Sequence, residues 1–319
     1  MNYCKKDLLQ FMVGGLLYMP AFQKNIIQKI NDNAIECLTS IAFCLEDSII
    51  DEALEEAEIS LQNILSDLQT LHKNNKKLPL IFVRIRSPQH LLSVREKLAD
   101  LNDLITGFIL PKFDVNNAEN YAAIIYDINR DKNKTVYVMP ILETEMIADI
   151  NNRRQNLIKI KKVLDVIEDY VLNIRVGVND LSNIYGIRCD IRHTIYDIGI
   201  IRDVLIDILN IFSKDYVVAG PVCNFFGENS QSFVKELELD KINGFIGKTS
   251  IHPSQLKFIF DNLKVSKNDF EDAMQILNWS SNSHGVAKNN FRMNELKCHM
   301  KWAEKIKILS DIYGVKDDL

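Results

Sequence analysis

VYVMPILETEM, residues 136–146, carries the argument about the fold. Seven nearly uninterrupted apolar residues, several of them β-branched or aromatic, run from the turn-like DKNK into Glu143 and Glu145. Such a run suits a strand covered on both faces better than one half exposed to water. Two acids at its tip have two readings. Either the chain has reached solvent and Glu143 opens the next helix, whose N-terminus favours negative charge, or the strand delivers a carboxylate to a working rim.

Runs of the same kind recur at 16–21 (LLYMPA), 40–47 (SIAFCLED), 79–87 (PLIFVRIRS), 107–113 (GFILPKF), 171–180 (VLNIRVGVND), 215–222 (DYVVAGPV) and 244–253 (GFIGKTSIHP). Between them lie segments with helical periodicity. Ile191, Ile195, Ile198, Ile201, Leu205, Ile208 and Phe212 share one helical face, as do Leu54, Ile59, Leu61, Ile64, Leu65 and Leu68. Eight strands alternating with helices over about 250 residues is the rhythm of an α/β (β/α)8 (TIM) barrel. The expected organisation is a barrel over residues 1–264 and a C-terminal helical extension over 265–319. A doubly wound open sheet is the alternative, but neither a GxGxxG turn nor a GxxxxGK[ST] loop is present to give it the usual nucleotide site.

Composition narrows the partners. The 319 residues are 47% hydrophobic and 25% charged, with a formal net charge of −5. That balance argues against nucleic acid held on a general basic surface. Six cysteines without a CxxC pair suit a reducing cytoplasm. The opening CKKDLLQFMVGGLLYMPAF resembles a secretory signal, but Asp7 follows the lysines, Gln10 interrupts the apolar run and no small-residue cleavage site follows. Elsewhere no apolar run is long enough for a transmembrane helix, so no membrane partner is expected.

In a barrel of this kind the active site lies at the C-terminal ends of the strands. Polar residues gather there in turn: Glu46 and Asp47, Arg84 and Arg86, Lys112, Glu143 and Glu145, Asn179 and Asp180, Lys248 and His252. There is no HExxH and no Cys/His cluster, so zinc is poorly served. Hard oxygen donors on neighbouring strands suit Mg²⁺, with Mn²⁺ as the other hard cation, completed by water and substrate oxygens. Cationic side chains facing the ion would hold a small anionic substrate or the charge developing on it. An oxyanion between a divalent metal and a guanidinium favours enolate chemistry.

The ordered motifs LLYMPA, FCLEDS, VRIRS, GFILPK, PILET, GVNDLS and GKTSIHPSQ, spanning about residues 16–257, resemble the HpcH/HpaI aldolase and citrate lyase β-subunit family. NNFRMNELKCHMKWAEKIKIL, 289–309, is similar to that family's C-terminal segment. The chain looks most like the carbon-carbon bond lyase branch found in bacterial tellurium-resistance and stress-response operons. By motif, the resemblance implies Glu143 and Asp180 as metal ligands and Arg84 as the cation that holds the substrate and steadies an enolate. It implies Glu46 and Asp47 beside the metal, with Asp47 a candidate base. It also places Lys112, Lys248 and His252 along the site or its approach, with packing or salt-bridge roles equally open. A coenzyme A thioester substrate, cleaved or hydrolysed, is an open variant.

Two departures bear on the substrate. Gly14 and Gly15 stand where relatives commonly carry arginine and serine, and Arg86 stands where they carry asparagine. Both count against a citryl or malyl thioester; Arg86 would suit a more anionic ligand, or would pair with a nearby acid. Phe225 and Phe226 in GPVCNFFGE (220–228) either cap the site or pack beneath their loop. In relatives the C-terminal segment packs on a neighbouring subunit, which implies a homo-oligomer such as a trimer; a helix folded on its own barrel is the alternative. A reading from another class is a barrel that keeps the pocket but serves as a ligand-binding or assembly protein.

Overall fold

The computed structural model describes residues 5–23, 25–130, 134–227, 231–280, 285–289 and 292–316. Cys4, the 131–133 part of the DKNK turn, Glu228 of the 220–228 loop and residues 281–284 and 290 of the polar segment after Trp279 lie outside the described residues. The chain divides into two compact units, Met1–Phe258 and Ile259–Leu319.

The first unit is built on β1 (Gly15–Pro20), β2 (Ser40–Cys44), β3 (Leu80–Arg84), β4 (Gly107–Leu110), β5 (Tyr137–Leu142), β6 (Arg175–Val176) and β7 (Lys248–Ser250). They pair in the order β6-β5-β4-β3-β2-β1-β7, every pairing parallel. Between β6 and β7 runs the 217–220 backbone. Val218 bridges Ile174 and Gly220 bridges Lys248, and the N–H groups of Ile174, Ala219, Ile246, Gly220 and Thr249 all donate across these seams. The circuit is therefore a closed (β/α)8 barrel, and the consecutive order excludes the doubly wound sheet.

The eighth member does not form the regular strand expected over 215–222. Its ladder is single bridges because Pro221 has no N–H to donate and the segment crosses its neighbours only briefly. Closure also needs tight backbone contact. A Cβ at Gly247, whose φ is +73°, would lie 2.3 Å from the Gly14 carbonyl oxygen.

Side chains alternate across the strands. Leu16, Ala42, Phe82, Ile109, Met139 and Ile141 fill the barrel, joined from its N-terminal end by Leu9 of the helix Lys5–Met12. The signal-like opening is thus a short helix running into β1. Ile41, Phe43, Ile81, Val83, Phe108 and Val138 face the surrounding helices. Among these, Leu54–Lys73 buries Leu61, Ile64, Leu65 and Leu68, but Ile59, expected on the same face, is exposed. The helix expected over 190–212 begins at Gly199, and Ile191 is exposed. A capping box between Thr194 and Asp197 starts a single turn at Ile195–Asp197 instead.

No helix among the described residues is long and apolar enough to cross a membrane. Cys44, Cys189, Cys223 and Cys298 are thiols outside any disulfide.

The second unit contains the helices Lys267–Leu277 and Leu296–Tyr313 and an antiparallel pair, Val286–Asn289 with Arg292–Glu295. That pair falls partly in what reads as a polar loop. Asn294, 4% exposed, donates to Asp272 Oδ1 at 3.0 Å and so fixes the pair to the first helix.

Candidate active site

Strand parity separates the two acids. It continues the inward series Met139 and Ile141 and is 3% exposed, whereas Glu145 is exposed in the first turn of the helix Glu145–Ala148. Arg84 continues Phe82 inward in the same way at the end of β3. Its Nη2 lies 2.8 Å from Glu46 Oε2, 2.9 Å from Asp47 Oδ2 and 3.5 Å from Glu143 Oε1. Glu46 and Asp47 follow β2 directly, and the Asp47 N–H donates to Glu46 Oε2 at 2.8 Å. Lys112, at φ +49° in the turn after β4, joins through two groups. Its Nζ pairs with Glu46 and lies 3.2 Å from Asp47 Oδ1, while its N–H donates to Glu143 Oε1 at 2.8 Å.

Asp180 comes from the first turn of the helix Val178–Ile184, just after β6. The approach depends on Gly177, where an added Cβ would lie 1.8 Å from Glu143 Oε2. The Gly177 N–H in turn donates to the Leu142 carbonyl at 3.2 Å. Any other side chain at 177 would push Glu143 aside. Gly177→Ala should therefore weaken Mg²⁺ binding and cost about 1–3 kcal/mol of stability through overpacking. Calorimetry and urea unfolding check both; unchanged values would show that the loop simply yields.

A cavity of about 150 Å³ opens among Tyr18, Asp47, Arg84, Glu143, Arg175 and Asp180. Burial, opposed by Arg84 and reinforced by Asp180, pushes the Glu143 carboxyl up to about 8. Burial also raises Glu46 against the pull of Arg84. Asp47 goes the other way: burial is outweighed by its bond with Glu46 and by Arg84 and Lys112, which hold it low. Burial would depress Arg84, but Glu143, Tyr18 and Glu46 hold it above its ordinary value. The acids are thus graded, with Asp47 the readily ionised one and Glu143 the one whose charge burial opposes most.

No group of three His, Cys, Asp or Glu side chains is gathered as a metal cage among the described residues. Glu143 and Asp180 instead offer hard oxygens on one cavity wall, the donor type and number with which Mg²⁺ typically keeps several waters and takes substrate oxygens.

Three residues expected along the site are engaged elsewhere. Arg86 donates from Nε to the Leu45 carbonyl at 2.7 Å and from Nη2 to the Ile49 carbonyl at 2.6 Å, and pairs with Asp51. It holds the loop after β2. Lys248 is fully buried, with Nζ 2.9 Å from Glu236 and 2.7 Å from Asp240 on the helix Gln231–Asn243; Thr249, not Lys248, reaches the cavity. His252 is exposed, bonded through Nδ1 to Ser254 and stacked on Phe226 at 4.6 Å between ring centres. Gln255 Nε2 donates to the Phe225 carbonyl at 2.9 Å, so this loop is pinned through its backbone.

Sequence reading passed over Tyr18, Arg175, Gly177 and Thr249. A legible signal existed for one of them: Arg175 is the one charged residue in the run 171–178, VLNIRVGV.

A second cavity, of about 460 Å³, shares Asn179 and Val222 with the first.

No curated protein matches the sequence. Solved structures do match in fold. One is protein CitE from Mycobacterium tuberculosis in complex with magnesium, acetoacetate and coenzyme A, with a TM-score of 0.62, 18% identity and coverage of 93% of this chain and 98% of that one. Another is a citrate lyase from Burkholderia xenovorans, with a TM-score of 0.71, 15% identity and coverage of 96% and 93%. A third is Haloferax volcanii malate synthase as a magnesium and glyoxylate complex, with a TM-score of 0.60, 9% identity and coverage of 77% and 73%. A family model described as C-C bond lyase of the TIM-barrel fold matches residues 7–315, nearly the whole chain, and the protein belongs to that family.

Proposed function

We propose that the protein is a Mg²⁺-dependent carbon-carbon bond lyase that acts on a small anionic oxoacid or acyl substrate by way of an enolate. The observation that carries this reading is the juxtaposition of Arg84, shared by Glu46, Asp47 and Glu143, with Glu143 and Asp180 on the wall of one small cavity. Glu143 and Asp180 would hold the ion, and Mg²⁺ when bound supplies Lewis-acid stabilisation of negative charge on a substrate oxygen. Asp47, ionised and half exposed, is the candidate base. It takes the proton of a β-hydroxyl group, the Cα–Cβ bond breaks, and its electron pair passes into the enolate of the departing fragment. The Arg84 guanidinium, fixed by three acids, donates to the enolate oxygen without reorganising. Lys112 keeps Glu46 and Asp47 in place.

The magnesium complexes of the similar structures, with acetoacetate and coenzyme A in one and glyoxylate in another, support a hard cation and a small acid. Mn²⁺ would serve the same oxygens. A thioester variant is favoured by the adjoining 460 Å³ cavity, which offers room for a carrier arm. The tellurium-resistance assignment, the cytoplasmic location and the oligomer rest on the sequence motifs and free thiols. Light scattering should return a mass of several chains; a monomer at micromolar concentration would remove the oligomer.

The test is proton exchange. Pyruvate in D₂O, followed by NMR, should lose its methyl protons faster with enzyme and Mg²⁺, and Arg84→Gln should slow this by about 10²–10³-fold, as loss of an oxyanion donor does. Equal exchange in wild type and variant would remove Arg84 from the chemistry. No exchange with any oxoacid would favour the ligand-binding barrel.

A further inference from the structure

Arg175 is a buried guanidinium whose charge no acidic side chain meets among the described residues. It is 1% exposed in β6 and lines the cavity that holds Arg84, Glu143 and Asp180. Arginine stays protonated in proteins, so the barrel keeps a full positive charge away from water. The other buried basic side chains among the described residues all reach carboxylates: Arg84 as above, Arg153 with Asp207 at 3.2 Å, and Lys248 with Glu236 and Asp240. Arg175 has neutral oxygens instead. Nη2 donates to Thr249 Oγ1 at 2.6 Å and Nη1 to Asn173 Oδ1 at 3.3 Å, while Nε has no hydrogen-bond partner. The guanidinium lies 6.0 Å from the centre of the Tyr18 ring, at the edge of cation-π range. Burial, offset in part by Tyr18, lowers its proton affinity, with no carboxylate entering the balance.

Isolating a charge in this way is costly unless an opposite charge arrives. Arg84, shared by three acids, is committed in the lyase reading to the enolate oxygen, so a second carboxylate needs a cation of its own. We propose that Arg175, with Thr249 and Tyr18, forms a subsite for a second carboxylate of the substrate, so that the pocket selects a dicarboxylic oxoacid over its monocarboxylic counterpart. The planar fork suits a carboxylate held by two parallel N–H bonds, and the neutral partners fix the fork without neutralising it. The inference deepens the lyase reading and rests on it for the other end of the substrate. It also accounts for a buried charge in β6, paired with Ile141 of β5, in a barrel interior whose apolar part includes Leu16, Phe82, Met139 and Ile141.

Oxaloacetate and pyruvate differ by one carboxylate and make a direct pair of probes. The full chain is titrated by calorimetry with Mg²⁺, then with freshly dissolved oxaloacetate or pyruvate, as wild type, Arg175→Gln and Arg175→Lys. Wild type should prefer oxaloacetate. Arg175→Gln should lose about ten- to a hundredfold in oxaloacetate affinity, the strength of a hydrogen bond to a charged group, while Mg²⁺ and pyruvate affinities stay unchanged. Arg175→Lys, which keeps the charge but not the fork, should fall between. Thr249→Val, a milder change to the same cluster, should weaken oxaloacetate alone. Equal binding of the two acids by wild type, or equal loss of both in Arg175→Gln, would overturn the subsite. If Mg²⁺ does not bind wild type, the lyase reading fails on its own account, and the same pair of titrations without metal decides the subsite.

Discussion

Replacing Lys248 with methionine should lower the stability of the barrel unit by about 3–5 kcal/mol, the cost of breaking a buried ion pair by removing one partner. Lys248 is fully buried, and so are Glu236 and Asp240, its partners at 2.9 and 2.7 Å. The acids have other bonds that keep them in place: the Ile195 N–H donates to Glu236 at 3.1 Å and the Tyr196 hydroxyl to Asp240 at 2.5 Å. Removing the ammonium therefore leaves two carboxylates side by side without a cation, away from water. Even with Lys248 present, burial, only partly offset by that lysine, pushes Asp240 up to about 6. An acid whose folded pKa lies above its unfolded one gives stability that is complete at low pH and lost as pH rises through the folded value. The damage in Lys248→Met should accordingly grow between pH 5 and 8. Urea unfolding across that range would show it; a loss under about 1 kcal/mol at pH 8 would mean that the triad contributes no more than a surface pair.

The second large effect is on metal. Glu143→Gln should abolish measurable Mg²⁺ binding while leaving the fold nearly untouched. The amide keeps an oxygen to accept the Lys112 N–H, as Oε1 does at 2.8 Å, and it fits the space left by Gly177. Burial already disfavours the charged form of Glu143, so neutralising it costs the apo protein little. What the amide lacks is the negative charge that a hard cation requires. Retained Mg²⁺ affinity in Glu143→Gln would make Glu143 a structural partner of Arg84 and Lys112 instead of a ligand.

The fold was legible where strands are buried on both faces. β1 to β5 stand out as apolar runs, and β2 to β5 each have a polar residue at the end where the site lies. The 215–222 segment was harder, since its share of the ladder is a pair of bridges beside Pro221 and its identity as a barrel member depends on neighbours far away in sequence. The helix start at Gly199 was hidden in the same way by an apolar period that continues through a capping box at Thr194.

Within the site, strand parity explains what sequence could and could not assign. In a six-residue strand such as β5 parity is fixed by the run itself, so Glu143 falls inward with Met139 and Ile141. In three-residue β7 it is not: Lys248 and Thr249 are adjacent, and only the Arg175 bond to Thr249 and the helix carrying Asp240 show which one faces the cavity. Arg86 shares the parity of Phe82 and Arg84 but lies two residues past the end of β3, where parity no longer fixes direction, and its fork is taken by the 45–51 loop.

The most direct measurement is calorimetric titration of Mg²⁺ into wild type and Asp180→Ala, with and without oxaloacetate, pyruvate or glyoxylate. Asp180 carries the test because, unlike Glu143, it makes no hydrogen bond to Arg84 or Lys112 whose loss would confuse the result. The lyase account predicts that Mg²⁺ binds wild type, that an oxoacid tightens it, and that both effects vanish in Asp180→Ala. Absence of Mg²⁺ binding to wild type under every condition would contradict it.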